Sequence, residues 1–473
     1  MPPLAHAKAR ALALSMRRPS AHLVFNQSRV FAARVHASTI SSASTPATPA
    51  APATPAAPAA PAAPAGATSG IEVLFLSPLS HSDPASALAS PAAGQLWRAM
   101  VRAPLTRGGG EVDGGSTRLE VRGAGAAMVL EVEEVLAPWI EVGEPDGVEA
   151  AVRLSLAPPA APAAAAAPTP PAATDVVAPE VMHGLEEPEG LPLSRLLELL
   201  GQTPLPPYLQ RAALPSDVGD YQTVYAAAAQ TGSVAAPTAG LHFTPDVLAA
   251  LVARGVASSF VSLHVGAGTF KPVTSPTLGG HDMHAEPFSI TVDALDALAA
   301  SAAAGRPLVP VGTTSARLLE SLYWLAAARG FDDAHGSDLG HLGQWDAYRG
   351  MADSHAAATA SDATAGAGAE ADADPRLPLS RAAALTRLRT RAEAAGGRLY
   401  GRTSLCIAPG YAFALCDGLV TNFHAPDSTL MALVSALLGG APRARALYAH
   451  AVAQRYRFLS YGDSSFLARA CDV

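Results

Sequence analysis

The chain predicts an α/β main domain into which a small all-β module is inserted, and three observations carry that prediction. Units of apolar strand, polar loop and helix recur after residue 190. Residues 71–156 instead hold short β-type runs broken by Gly-dense turns. Tracts of Ala and Pro separate the two regions. Alternation of strand and helix is the pattern of α/β folds, which place reactive groups in loops at strand ends.

The first unit is the most legible. Residues 234–270 read VAAPTAGLHFTPDVLAALVARGVASSFVSLHVGAGTF. Thr244 is a good N-cap, Pro245 suits the first helical position, VLAALVA propagates a helix, and Gly255 closes it. Two polar loops flank that helix, one with His242 and one with His264. The layout recurs where PLVPV (307–311) runs into Gly312-Thr313-Thr314-Ser315 and then ARLLESLYWLAAARG. It recurs again where DGLVTNFH (417–424) runs into Ala425-Pro426-Asp427-Ser428 and TLMALVSALLGG. Hydroxyls at these helix starts satisfy unpaired N–H groups, and such N–H groups also hold anions. The inserted region contributes IEVLFLS, LWRAMVRA, TRLEVRG, AAMVLEVEEV and VEAAVRLSL, a spacing expected of a small antiparallel barrel or sandwich.

Boundaries follow from composition. Residues 37–70 and 157–185 read as linkers, with Ala/Pro repeats at 41–66 and 157–173. A low-complexity insertion is expected at about 331–380, densest at 351–375. Such tracts cannot bury enough apolar surface to offset chain entropy. Residues 21–36 then form the first part of the α/β domain, 71–156 the inserted domain and 186–473 the remainder. Residues 1–20 read as an organellar transit peptide or a misplaced start, since the first acidic residue is Glu72 and Lys8, Arg10, Arg17 and Arg18 precede it. The expected location is the cytoplasm, or a plastid or mitochondrion if the segment targets one.

Three cysteines, Cys406, Cys416 and Cys471, have no ligand spacing, so neither a disulfide framework nor a zinc motif is expected. No apolar run is long enough to span a membrane. The net charge is −8, but residues 376–473 hold twelve arginines against five acidic residues. This basic portion is suited to tracking phosphates, with Arg387, Arg389 and Arg391 as candidates against the alternative of a solvated helix face.

The loops also exclude chemistry. His264-Val265-Gly266-Ala267-Gly268-Thr269-Phe270 follows an apolar run as a nucleotide loop would. Yet Lys271-Pro272 and Pro276 follow it, so no helix opens there and a doubly wound methyltransferase is disfavoured. The spacing of His281, His284 and Glu286 is a poor zinc pattern, so no metal is expected. Proton transfer or base recognition suits those residue types better.

Taken together, the strings resemble the S-adenosylmethionine:tRNA ribosyltransferase-isomerase family of queuosine biosynthesis. The resemblance rests on Asn26-Gln27-Ser28-Arg29-Val30, Pro204-Leu205-Pro206-Pro207-Tyr208, Tyr221-Gln222-Thr223-Val224-Tyr225 and Ala236-Pro237-Thr238-Ala239-Gly240-Leu241-His242-Phe243. It continues through the His264–Phe270 loop, His281, Met283-His284, Glu286, Val311-Gly312-Thr313-Thr314-Ser315 with Arg317 and Glu320, Thr421-Asn422-Phe423-His424, and Tyr456-Arg457-Phe458 with Ser460-Tyr461-Gly462-Asp463. The order is the family's order. Departures are Gln27 and Ser28 in the first string, Ala408, Ala425, and the short stretch before Asn26, where the family has several dozen residues.

The resemblance implies a barrel-like α/β catalytic domain of mixed strands and helices with an inserted small all-β barrel. It implies transfer and isomerisation of the ribosyl group of S-adenosylmethionine, as co-substrate, onto 7-aminomethyl-7-deazaguanine at the wobble position of tRNA with a GUN anticodon. Adenine and methionine leave. Such chemistry needs a base beside the sulfonium, an acid for adenine, polar groups for the ribose and carboxylate, and a base turned out of its stack. His264 and Glu286, then His242 and His424, are the acid–base candidates. Asn26, Arg29, Thr238, Gly266, Gly268, Thr269, His284, Thr313, Thr314, Ser315, Arg317 and Asn422 are candidates for substrate binding, and Arg457 joins the three arginines above for tRNA. One pocket is expected to unite the loops at 264–270, 281–286 and 312–317. His264→Ala and Glu286→Gln are expected to lower turnover about a hundredfold with little effect on folding, since neither lies in an apolar run. A monomer without membrane attachment is expected. The alternatives are an inactive tRNA-binding descendant and an S-adenosylmethionine-dependent methyltransferase, told apart by whether adenine, S-adenosylhomocysteine or neither is released.

Overall fold

The structure, a computed structural model, describes residues 21–39, 71–79, 83–92, 94–102, 117–123, 126–139, 147–156, 192–266, 273, 275–332, 335–361 and 374–470. The chain divides into two compact units. One comprises residues 1–31, 83–85 and 203–473, and the other residues 32–82 and 86–202. Residues 32–36 and 186–202, read from sequence with the α/β domain, therefore fall in the second unit.

Chain order begins with β1 (His22–Asn26) and β2 (Arg29–Val30). The second unit then contributes β3 (Arg34–Thr39), β4 (Ile71–Pro78), β5 (Leu96–Arg102), β6 (Thr117–Gly123), β7 (Ala126–Trp139) and β8 (Gly147–Leu156), with α1 (Pro84–Ala89) between β4 and β5. These six strands pair antiparallel in the order β3-β4-β5-β8-β7-β6 and close on themselves. Closure removes the free edges that a short antiparallel sheet would expose. Trp97 fills the interior, edge-on to Phe75 at 5.9 Å, and its indole N–H donates to Gln95 at 2.8 Å. Helix α2 (Leu193–Leu200) buries Leu193, Leu196 and Leu197, the i, i+3, i+4 stripe of an amphipathic helix.

The first unit resumes with α3 (Asp217–Asp220), β9 (Thr231–Ser233), α4 (Pro245–Ala253), β10 (Ala257–Leu263), β11 (Glu286–Thr291), α5 (Val292–Ala303), β12 (Leu308–Val311) and α6 (Thr313–Ala327). It ends with β13 (Asp338–Leu342), α7 (Asp346–Ser361), α8 (Arg381–Ala394), β14 (Arg398–Thr403), β15 (Gly418–Asn422), α9 (Thr429–Leu437), α10 (Ala441–Ala453) and β16 (Ser464–Ala468). Eight strands form one sheet in the order β13-β14-β11-β10-β1-β12-β15-β16. Its centre, β10-β1-β12-β15, is parallel, while β11, β14 and β16 join antiparallel neighbours. The expectation of a barrel-like main domain is met in its mixed strands and helices only, because the sheet stays open at β13 and β16.

All five residues of β1 are buried, as a central parallel strand requires. Alternation splits them between two cores: Val24 joins Leu263, Phe288 and Leu308 on one face, and Leu23 and Phe25 join Phe243, Val309 and Val420 on the other. Thr244 caps α4 as predicted, accepting from the Val247 amide with Pro245 at the first position. Ser428 does the same for α9. At α6 the hydroxyls do not cap. Gly312, at a φ of 90° that few side chains tolerate, stands at the N-cap, and Ser315 Oγ turns back to the Val311 carbonyl.

Helix α7 runs through residues 351–361, which composition assigns to a loop-like tract. Alanine is the best helix former, so an Ala-rich segment that continues an existing turn propagates it. The tracts at 41–66, 157–173 and 362–373 lie outside the described residues.

His22 shows how a buried polar group is held. Its ring nitrogens meet Ser301 Oγ at 2.7 Å and Ser259 Oγ at 2.8 Å, and desolvation, with a smaller contribution from the nearby Arg306 charge, lowers its pKa to about 4. The folded protein thus keeps His22 neutral, and unfolding takes up a proton at any pH between about 4 and 6.5. Stability from this group is present above pH 6.5 and lost as the pH falls toward 4, by up to about 3 kcal/mol. Urea unfolding across that range should show the decline, and His22→Gln should flatten it.

Candidate active site

The parallel block places the carboxyl ends of β10, β1, β12 and β15 along one edge of the sheet. Ligands of open α/β sheets bind in loops at this edge. His264, Asn26, Gly312 and Asn422 all lie there, and β11, antiparallel to β10, starts there with Glu286.

Helix α6 organises one side of that edge. Every residue from Thr313 to Ala326 is buried, so each polar side chain needs a partner. Glu320 accepts from the amides of Ala414, Leu415 and Cys416, each at 2.9 Å, and from Tyr411 Oη at 3.0 Å. Ser321 donates to the Arg317 carbonyl, and Trp324 Nε1 donates to Tyr411 Oη. Arg317 Nη1 donates to Glu286 Oε2 at 2.7 Å and its Nε to the Leu405 carbonyl at 3.2 Å. The other carboxylate oxygen of Glu286 accepts from the Gly266 amide at 3.0 Å. Arg317 Nη2 alone among the side-chain atoms of this helix is buried with no hydrogen-bond partner among the described residues.

That guanidinium lines a pocket with His281, His284, Glu286, Leu405, Ile407 and Leu430. Gln344 shapes its rim, because its amide donates to the His281 carbonyl at 2.7 Å and accepts from the Met283 amide at 3.1 Å. The pocket combines an apolar floor, a fixed cation and two imidazoles, a composition suited to a mixed polar and apolar small molecule.

Of the three loops expected in one pocket, residues 281–284, Glu286 and Arg317 line it, Gly266 is tied to it only through Glu286, and residues 267–270 lie outside the described residues. Gly266, Glu286 and Arg317 meet directly. His264 does not join them. Its amide bonds the Pro287 carbonyl at 2.9 Å, so it continues β10 opposite Pro287. Leu263 and Phe288 face the core that holds α6, and the pleat turns His264 to the opposite face. There its ring is buried 3.6 Å from Asp83 Oδ1 and against Gly232, where an added Cβ would lie 2.8 Å from Nδ1. His242, Thr238 and Asn422 cluster on that second face too. Asn422 Nδ2 lies 3.2 Å from His242 Nε2, and Thr238 Oγ1 donates to Asn422 Oδ1 at 3.2 Å. His424 pairs with Thr421 Oγ1 at 2.7 Å, and burial lowers its pKa to about 4. It is therefore uncharged at neutral pH and unsuited to act there as a proton donor.

Several other expectations change. Asn26 is fully buried and committed: its amide brackets Leu263 N and O at 3.0 and 2.9 Å and accepts from Ser28 N at 3.1 Å. It holds β1 to β10. Thr313, Thr314 and Ser315 are likewise buried. Arg29 is exposed on β2. Gly268 and Thr269 lie outside the described residues. Arg387, Arg389 and Arg391 are only partly exposed and are occupied. Arg387 pairs with Asp332 and Arg389 with Asp296 and Glu393, while Arg391 donates to the Gly336 and Asp338 carbonyls. Arg387 and Arg391 also flank the Phe331 ring at 4.9 and 5.0 Å. These contacts dock α8, which explains the arginine run without a polyanion. Asp83, Gly232, Gln344 and Leu405–Ile407 were missed, because none sits in a motif and only the fold brings them to the edge.

Nor is Glu286 independent of folding. Removing one partner of a buried ion pair leaves an uncompensated charge. Glu286→Leu and Arg317→Met should each destabilise by about 3–5 kcal/mol, whereas the double variant should recover much of the loss. A double-mutant cycle by urea unfolding checks this, and additive losses would contradict the pairing.

The profile of the queuosine biosynthesis protein family matches residues 160–338 and 381–467, more than half of the chain. An S-adenosylmethionine:tRNA ribosyltransferase-isomerase from Rhodospirillum rubrum is 41% identical over 283 residues, 60% of this chain and 62% of that one. A protein of the same name from Anaeromyxobacter sp. is 42% identical over 282 residues, 60% and 61% of the two chains. The chain thus spans about three fifths of the length of these relatives. An S-adenosylmethionine tRNA ribosyltransferase from Thermotoga maritima, solved as a crystal structure, aligns over 97% of this chain and 85% of its own at 19% identity, with a TM-score of 0.32 that carries no argument. The two matched segments contain both Glu286 and Arg317 and all the pocket residues around them, and the chain belongs to the queuosine biosynthesis protein family.

Proposed function

We propose that this chain acts as an S-adenosylmethionine:tRNA ribosyltransferase-isomerase. It moves the ribosyl group of S-adenosylmethionine to the aminomethyl nitrogen of 7-aminomethyl-7-deazaguanine in the wobble position of tRNA with a GUN anticodon. The ribosyl becomes an epoxycyclopentanediol, and adenine and methionine are released. The observation that carries this reading is the overlap of the family match with the pocket around Arg317.

The pocket fits the needs of that reaction. Its apolar floor of Leu405, Ile407 and Leu430 suits the adenine ring, and the unpartnered Nη2 donor of Arg317 suits a substrate oxygen such as the methionyl carboxylate. Glu286 keeps that guanidinium in place, since both of its oxygens are taken by Arg317 and the Gly266 amide. Proton transfers then fall to imidazoles at the pocket wall, His281 and His284, with His264 on the opposite face of the sheet as a separate candidate. The sulfonium acidifies the adjacent carbon, so a neutral imidazole suffices as base.

Incubation with S-adenosylmethionine and tRNA carrying 7-aminomethyl-7-deazaguanine should release free adenine and add the ribosyl-derived mass to the tRNA. Arg317→Lys should lower adenine release at least tenfold, because lysine cannot hold Glu286 and a second oxygen with the same planar fork. Release of S-adenosylhomocysteine would mean methyl transfer. Binding without either product would mean a non-catalytic descendant.

A further inference from the structure

We infer that the face formed by α10 and the loop at 455–461 is the RNA-docking surface of this protein; the inference rests on the proposed tRNA substrate. Three independent features coincide there. No acidic residue occurs between Asp427 and Asp463, and Arg443, Arg445, Arg455 and Arg457 fall within that run, all exposed. Unlike the guanidiniums of α8, none of the four is closer than 3.9 Å to a carboxylate in any described ion pair, the Arg457–Asp463 separation. A set of exposed cations with no close carboxylate pairing in the described ion pairs is the footprint expected for phosphates.

Aromatic residues supply the second feature. Among the described residues the exposed tyrosines are Tyr208, Tyr456 and Tyr461, at 40%, 39% and 37%. Two belong to this loop, and the third accepts a hydrogen bond from the Ser460 amide at 2.9 Å. Exposed rings beside arginines are stacking platforms for unpaired bases. Backbone conformation is the third feature. The described non-glycine residues with positive φ are Gln210, Arg455 and Leu459, at 49°, 58° and 70°. All three lie in this loop or two residues from Tyr208. Arg455 takes the position after α10 where glycine is the least strained choice, its amide closing on the Val452 carbonyl at 3.0 Å. A cation is kept there against the backbone preference, and such outliers concentrate where a side chain is needed.

The loop is anchored to the end of β15. Leu459 N donates to the Phe423 carbonyl at 2.8 Å, and Asp463 Oδ2 accepts from Arg457 N at 2.8 Å. The Phe423 ring packs on Tyr456 and Phe458 at 5.5 and 5.3 Å. The chain continues from Phe423 through His424 to Thr429 and Leu430 in the pocket wall. The loop's anchor at Phe423 and the pocket wall at Thr429 thus belong to one short segment. A lipid surface fits less well: α9 and α10 meet at 108°, and of their larger apolar residues Leu433, Val434 and Leu437 are buried while Val452 alone is exposed.

The test uses the full chain and a fluorescent tRNA with a GUN anticodon, titrated over a range of salt. Wild type should bind with a steep log–log salt slope. Arg443→Gln with Arg445→Gln and Arg457→Gln should reduce that slope by about 0.7–0.9 per arginine. Tyr461→Ala should weaken binding at least fivefold with the slope kept. Arg455→Gly guards against misfolding: it should weaken binding while the melting temperature holds or rises. Arg387→Gln with Arg391→Gln should leave the slope unchanged. Binding with an unchanged slope in the first set overturns the surface alone. No tRNA binding by wild type overturns the surface and the proposed function together. Loss of binding to anionic phosphatidylserine vesicles, with tRNA binding intact, assigns the face to lipid and overturns the inference.

Discussion

Arg317 is the constraint on which the site depends. It rises from a helix buried along nearly its whole length, where a lone guanidinium would be costly. Glu286 neutralises it, the Leu405 carbonyl takes a second donor, and the Gly266 amide satisfies the carboxylate's other oxygen. Four segments are thereby tied at one point: the end of β10, the start of β11, the N-terminal part of α6 and the loop that follows β14. Glu320, one turn along the same helix, fixes the 411–416 loop in the same way. Two carboxylates thus fix the surroundings of α6, Glu286 at the pocket wall and Glu320 behind it. The arrangement leaves Arg317 Nη2 buried at the pocket wall with its hydrogen-bonding capacity unspent.

The second determinant is the pleat of the sheet. Successive side chains of a strand point to opposite faces. Loops that converge at one edge therefore deliver their chemistry to two sides. Glu286 and Arg317 act on the α6 side, while His264, His242, Thr238 and Asn422 face the other. Asn26 sits between them as a clamp on β10, which keeps both sides in register. Any substrate that engages both clusters must reach past the edge, as a nucleotide presented on an RNA loop would.

Much of this was readable from residues, for identifiable reasons. Strand–loop–helix units of 4–15 residues carry local signals, so the helix after Thr244, the strands flanking it and the helix after Ser428 fall where capping and apolar runs place them. The five β-type runs of residues 71–156 are all strands. What failed was non-local. The face on which His264 lands depends on its register against Pro287, which no spacing encodes. Asn26 looks like a polar ligand residue until the strand beside it takes both ends of its amide. The α8 arginines read as a polyanion surface because their partners Asp296, Asp332 and Phe331 come from distant sequence. Residues 346–361 contradict their low-complexity composition because alanine, inert as a core former, is a strong helix former.

The central claim is that the Arg317 guanidinium, held by Glu286, binds S-adenosylmethionine. Isothermal titration of S-adenosylmethionine into wild type and into Arg317→Lys, each verified as folded by its unfolding transition, tests it without requiring turnover. The account predicts binding to wild type and an affinity at least tenfold weaker in Arg317→Lys. Equal affinity in the two proteins would contradict it and place the ligand elsewhere, with the His264 and Asn422 face the first to examine.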